Sequence, residues 1–233
     1  MHIDVAVKLI YIVLMTHNTT PSDLDRLTQS ALPHAGFDGW SDETLRLARA
    51  DAGLSAEAAL LAAPRGALDL IAHWSAQMDS EVLARMEAAD MGSMKIRERV
   101  TFAVQARLEA IGPHEETARR ARARLLLHDA ATLGAELIWA TSDAIWRGLN
   151  DTSTDFNWYS KRTILSAVYT SSLAVWLNDE TPEKDKARAF LDRRIENVME
   201  FEKAKANWRK LTKDLPDPAK LLAGLRYGGR RRV

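Results

Sequence analysis

Proline and glycine set the frame of this chain. Its seven prolines and eleven glycines fall mostly between segments whose apolar residues recur every three or four positions, and β-branched runs are few. A chain punctuated in this way folds as helices, so the expected class is all-α. The first helices are short. Pro21-Ser22-Asp23 opens one over 24–32, Ser41-Asp42-Glu43 caps one over 44–50, Ser55 caps 56–62, and Pro64-Arg65-Gly66 leads into 68–78. Between the second and third lies Asp51-Ala52-Gly53-Leu54, the glycine-bearing turn of a helix-turn-helix. Longer helices are expected over 81–91, 95–111, 115–127, 132–149, 155–177 and 182–211, the last with Thr181 as its cap and Pro182 in its first position. The expected division is a start outside the fold (1–20), a helix-turn-helix subdomain (21–79), a larger helical domain (80–213) and a basic amphipathic tail (214–233).

The bulk properties remove several functions. With 46% hydrophobic and 27% charged residues, the 233-residue chain has the composition of a globular protein with a sizeable core. Its formal net charge is zero, so no overall field draws it to nucleic acid. It has no cysteine, which excludes disulfides, thiolate nucleophiles and Cys-ligated metals together and fits a reducing compartment. The apolar start over 3–15 is too short to cross a bilayer, and Asp4 spoils the basic region that a signal peptide needs.

Catalytic patterns are missing as well. No Gly-x-Gly, Walker-type or Gly-x-Ser-x-Gly arrangement occurs. None of the six histidines follows a glutamate by three positions, the spacing that carboxylate-bridged di-iron bundles use. His114-Glu115-Glu116 lacks a second histidine and marks a helix start, while His73 and His128 stand alone within helices. No catalytic residue, metal ligand or cofactor is therefore expected. The recognition helix of the helix-turn-helix, 55–63, contains a carboxylate and no Lys, Arg, Asn or Gln, so it has nothing with which to grip DNA. Arg119, Arg120, Arg122 and Arg124 alternate with alanine or sit side by side on a later helix and read as a solvated face.

The stretch Asp151-Thr152-Ser153-Thr154-Asp155-Phe156-Asn157-Trp158-Tyr159 places three aromatics within four positions behind a polar turn. Asp155 or Ser153 can cap the helix that follows, and the aromatics then fan around its first turn. Two arrangements satisfy them: anchors for a partner protein, or side chains tucked under neighbouring helices. On the anchor arrangement, Trp158→Ala lowers partner affinity and leaves the melting temperature unchanged. The helices over 132–149 and 155–177 are apolar around more than one stripe, with Gly134, Ala135, Ser166 and Ser172 among their Trp and Leu residues. Such a pair either fills a core or encloses an apolar cavity.

The stretch 151–159, continued by Lys161-Arg162 and the helix to Asp179, resembles the ninth coenzyme Q biosynthesis protein family; the similarity spans about 24–199 and is strongest over 143–200. The resemblance implies a TetR-like helical bundle and a lipid-binding accessory role in ubiquinone synthesis. It implies an isoprenoid quinone intermediate or phospholipid held by Phe102, Leu108, Trp139, Ile164 and Val168. It also implies a di-iron hydroxylase of the pathway docked on Ile145, Asp155, Trp158 and Tyr159. The tail, with Leu221, Leu222 and Leu225 on one face and Arg226 among its cations, reads as a weak interfacial helix or as a solubilising extension, and the resemblance favours membrane contact. A homodimer follows by analogy with TetR-type folds, and a location on the cytoplasmic or mitochondrial-matrix face of the inner membrane follows from the family. A ligand-responsive TetR-type transcriptional regulator is the alternative.

Overall fold

A computed structural model describes residues 21–212, and the described residues form nine helices and no strands. They are α1 (Asp23–Asp38), α2 (Asp42–Asp51), α3 (Ala56–Ala62), α4 (Ala67–Ala88), α5 (Ile96–Glu109), α6 (Glu115–Leu125), α7 (Ala131–Gly148), α8 (Asp155–Asn178) and α9 (Asp185–Thr212). The residues expected outside the fold and those of the basic tail, Leu221, Leu222, Leu225 and Arg226 included, lie outside the described residues.

The short helices start where their caps predict. The Ser22 hydroxyl accepts from the amide of Asp25 at 3.0 Å while the Asp25 carboxylate accepts from the amide of Ser22 at 2.9 Å, a reciprocal box at the head of α1. Ser41 and Ser55 accept from the amides of Thr44 and Ala58 in the same way. Gly53, at φ 65°, makes the left-handed turn between α2 and α3.

Three helices depart from their expected bounds. α1 runs through Pro33 to Asp38 because its second half is needed: Leu32 and Ala35 are buried, and the Thr117 hydroxyl donates to the Leu32 carbonyl at 2.8 Å. α4 is one helix of 22 residues where the sequence suggests two. Asp79 is not a polar break but an interior carboxylate, paired with Arg107, and the boundary drawn at 79/80 falls within the helix. α9 begins at Asp185, not Pro182. The Asp179 carboxylate organises the turn before it, accepting from the Thr181 amide and hydroxyl and from the Ala187 amide at 3.1, 2.7 and 2.9 Å. Lys184 takes a left-handed φ of 55° to close that turn.

One apolar core runs from α1 to α9. The helix-turn-helix is fastened to the larger bundle at α6, where the Trp40 indole donates to the Thr117 carbonyl at 3.1 Å. α4 packs on α1, α5 and α7; α8 packs on α7 and α9; α9 returns along α5. Gly134 permits the tight α6–α7 corner, since a Cβ there would lie 3.1 Å from the Leu125 carbonyl oxygen. No described helix is long and apolar enough to cross a membrane.

Candidate ligand cavity and aromatic patch

The amphipathic helices leave two apolar hollows. The first, of about 370 Å³, lies between α4, α6, α7 and α8. Ile71 and Trp74 of α4, Leu125 of α6, Leu137 and Ile138 of α7 and Leu173 of α8 supply its walls, and Gly134 and Ala135 leave it open. Its mouth is at the α6–α7 corner, where Leu126 is 71% exposed beside Arg122. Among the described residues Arg122 has no ion pair, whereas Arg119, Arg120 and Arg124 all pair with neighbouring carboxylates.

Its inner end is polar. Arg107, Thr141 and Tyr169 line it and are 2%, 1% and 5% exposed. Arg107 Nε donates to Asp79 Oδ1 at 2.6 Å, and the Thr141 hydroxyl donates to the same carboxylate at 2.9 Å. Burial opposes the charge on Arg107, but the Asp79 carboxylate at 2.6 Å favours it, and the guanidinium pKa is raised. Burial likewise raises the pKa of Tyr169, so its hydroxyl stays protonated. The sequence reading missed this cluster, although Arg107 falls four residues after Ala103, in phase with the buried face of α5.

The second hollow, of about 400 Å³, lies between α5, α8 and α9. Ile164 and Val168 line it, with Val100, Trp146, Ile195 and Val198. The other residues expected to hold lipid are elsewhere. Leu108 is closed within the core at 1% exposure, Phe102 packs against that core without lining either hollow, and Trp139 faces the opposite way, into an aromatic stack.

That stack is a surface patch. Trp139 of α7 lies 5.7 Å from Trp158 and 6.3 Å from Tyr159, and the last two meet edge to face at 4.8 Å. Tyr159 and Phe156 are exposed, Asp155 is exposed beside them, and Trp158 is half-buried. The two arrangements left open by the sequence thus divide among the residues: Phe156 and Tyr159 face outward, and Trp158 is partly tucked in. Ile145 is 1% exposed and belongs to the core, so a partner protein cannot touch it; the helical phase that brings Leu137 and Ile138 to the cavity also turns Ile145 inward. Neither Asp155 nor Ser153 caps α8; Thr154 is the cap residue and makes no side-chain bond, while Asp155 enters the helix at φ 54°.

Beneath the patch an ionic net fixes the loop. Arg162, 2% exposed, donates from Nε to Asp143 at 2.6 Å and lies 3.4 Å from Asp151. Asp151 accepts from Lys161 at 2.6 Å and from the Ser153 hydroxyl at 2.7 Å. Burial pushes the Asp151 pKa up, yet the bonds from Lys161 and Ser153 prevail and lower it to about 2. Elsewhere, His73 Nε2 lies 2.6 Å from Asp25 and ties α4 to α1, and His114 meets Trp74 edge-on. No group of three or more His, Cys, Asp or Glu side chains able to hold a metal occurs among the described residues.

Comparison with known proteins supports the resemblance. Residues 131–202, from α7 into α9, match the COQ9 family model. The mitochondrial ubiquinone biosynthesis protein COQ9 of Rattus norvegicus is 30% identical over 181 residues, covering 75% of this chain and 58% of that protein. The Homo sapiens protein of the same name is 29% identical over 181 residues, 75% of this chain and 57% of that one. A probable COQ9 protein of Dictyostelium discoideum is 23% identical over 188 residues, 77% and 61% of the two chains. The chain thus spans a little under three fifths of the length of the first two. A TetR transcriptional regulator from Nitrosomonas europaea superimposes with a TM-score of 0.60 at 20% identity, over 74% of this chain and 95% of its own. The fold is TetR-like and all-α, and the sequence resembles the COQ9 family.

Proposed function

We propose that this chain, whose segment from α7 into α9 resembles COQ9, is a non-enzymatic lipid-binding accessory protein of ubiquinone biosynthesis. It takes the ring end of a polyprenylated quinone intermediate into the first cavity and presents it to the pathway's hydroxylase, docked on the aromatic patch. The observation that carries this reading is the double duty of α7: Leu137 and Ile138 wall the cavity, and the next residue, Trp139, stacks in the patch. Cargo and partner would sit on adjoining faces of one rigid helix.

A cavity of this size accommodates a substituted ring and the start of its tail. The remaining isoprenoid trails from the mouth, where exposed Leu126 and Leu127 and the Arg122 cation suit an anionic bilayer surface. Each methylene kept from water is worth about 0.8 kcal/mol, so an apolar chamber lowers the cost of drawing the ring from the bilayer. Docking is reversible, on the cytoplasmic or matrix face of the inner membrane, and the working unit is a homodimer. Native mass spectrometry of the protein purified from cells tests this directly: a retained isoprenoid quinone is expected, and protein free of lipid counts against it.

The regulator reading meets an obstacle in α3. That helix presents Leu60 and Leu61, 67% and 84% exposed, with Glu57 and no cation of its own, a poor surface for phosphates. Salt-sensitive, sequence-selective gel shifts with genomic fragments would reinstate it.

A further inference from the structure

We infer that the inner end of the first cavity reads an uncharged oxygen of the ligand, a ring carbonyl or phenol, through the Tyr169 hydroxyl and the spare N–H groups of Arg107. The inference rests on the proposed function and adds an orientation and a selectivity to it: ring first, tail outward.

The donor inventory carries the argument. A guanidinium has five N–H groups. Arg107 places Nε–H on Asp79, one Nη2–H on the Ser75 hydroxyl at 3.0 Å, and one Nη1–H on the Met78 sulfur at 3.2 Å, a weak acceptor. Among the described residues two N–H groups have no acceptor, on a side chain nine-tenths buried and more. Tyr169 is similarly buried, lines the same space, and makes no hydrogen bond among the described residues. Its ring centroid is 5.5 Å from the guanidinium carbon of Arg107. Donors on buried side chains seldom lack a protein acceptor, and here two such side chains line one chamber whose walls are mostly apolar.

Charge selects among acceptors. Asp79 balances Arg107 at 2.6 Å, so the inner end is close to neutral overall. A carboxylate or phosphate would surrender its hydration to enter and would then face Asp79. A carbonyl or phenol oxygen accepts the spare donors without that penalty, and the apolar walls cover the rest of the ring.

Two probes and two variants test this: decylubiquinone, which carries ring oxygens, and decylbenzene, which carries none, titrated by Trp fluorescence with Trp74 in the cavity wall. The native chain is expected to bind decylubiquinone more tightly. Tyr169→Phe removes one donor that has no partner among the described residues, so the fold is retained; affinity for decylubiquinone falls roughly ten-fold and that for decylbenzene is unchanged. Equal affinity of the native chain for both probes, or indifference of decylubiquinone to Tyr169→Phe, overturns the inference and leaves the lipid-carrier reading intact. Loss of decylubiquinone binding in Arg122→Ala instead of Tyr169→Phe puts the polar end at the mouth and overturns it too. Binding of neither probe by the native chain removes the cavity reading and this inference together.

Discussion

The guanidinium carbon of Arg162 lies 4.0 Å from the ring centroid of Trp158, and its Nη1 donates to the Trp158 carbonyl at 3.2 Å. A nearly fully buried cation thus holds the indole from beneath while Trp139 and Tyr159 flank it. Trp158 is part of the scaffold of the patch as well as part of its surface. Trp158→Ala should therefore destabilise the chain, by about 1–3 kcal/mol from the lost cation–π and aromatic contacts. That corresponds to a fall of roughly 2–4 °C in Tm per kcal/mol for a chain of this size, measurable by calorimetry. An unchanged Tm would mean that the stack adds nothing in solution. The expectation from sequence, that stability would not move, ignored Arg162.

Asp151 gives the loop before α8 a dependence on acid. Its carboxyl pKa is lowered to about 2, below its ordinary value, despite burial, by the bonds from Lys161 and Ser153. A depressed folded-state pKa contributes stability that is complete above the unfolded value near 4 and is lost as pH falls toward 2. The contribution is on the order of 2 kcal/mol. Urea unfolding of the native chain and of Asp151→Asn should differ most at about pH 5, and the gap should narrow by about 1–2 kcal/mol on approaching about pH 2. A gap that stays constant across that range would show that the charge of Asp151 is not what fastens the loop.

Much of the fold was legible because helices declare themselves through period and caps. α3 and α8 start where the sequence places them, and Ser22, Ser41 and Ser55 act as caps. Two of the failures share one cause, a residue with strong local meaning overruled by a distant partner: Pro33 reads as a stop until Thr117 reaches the carbonyl before it, and Asp79 reads as a break until Arg107 pairs with it. The third is local: the Thr181 hydroxyl donates to Asp179 and accepts from the Asp185 amide, so the helix starts three residues later than Pro182. The site divides along the same line. Spacing shows that Phe156 and Tyr159, three residues apart, share a helix face, but not that Trp139 turns toward Tyr159 and away from the cavity. Nor does period separate Ile145, one turn beyond Thr141, from the surface. Arg107 was the recoverable omission, since a charged residue in phase with Ala103 and Val104 announces a buried polar contact.

The outer half of the patch can be tested apart from its scaffold. Tyr159 and Phe156 are 60% and 70% exposed, and the Tyr159 ring rests on Trp158 at one edge. Phe156→Ala and Tyr159→Ala should each change stability by less than about 1 kcal/mol, as surface substitutions do. If the pathway's hydroxylase docks here, both should weaken its binding in surface-plasmon measurements, by about 1 kcal/mol or more each. Full affinity in both variants would place the partner elsewhere. Ile145→Ala is the control with the opposite pattern: a buried isoleucine reduced to alanine costs about 2–5 kcal/mol of stability, and any effect on binding should follow from that loss.

Which hollow holds the lipid is decided by filling each in turn. Ile138 walls the first cavity and Ile164 the second; both are partly buried, so a larger side chain at either can occupy the empty space beside it. Ile138→Trp should abolish co-purified lipid in native mass spectra, because an indole takes up a large share of about 370 Å³. Ile164→Trp should retain it. Each variant needs a cooperative thermal transition within several degrees of the native one, since overpacking costs about 1–3 kcal/mol where the space is not truly free. The reverse result, lipid lost in Ile164→Trp and kept in Ile138→Trp, would move the ligand to the hollow lined by Ile164 and Val168. It would separate the cargo from Arg107 and Tyr169, and the ring would then lie beside Lys161 and Trp146, directly under the loop that Asp151 fastens.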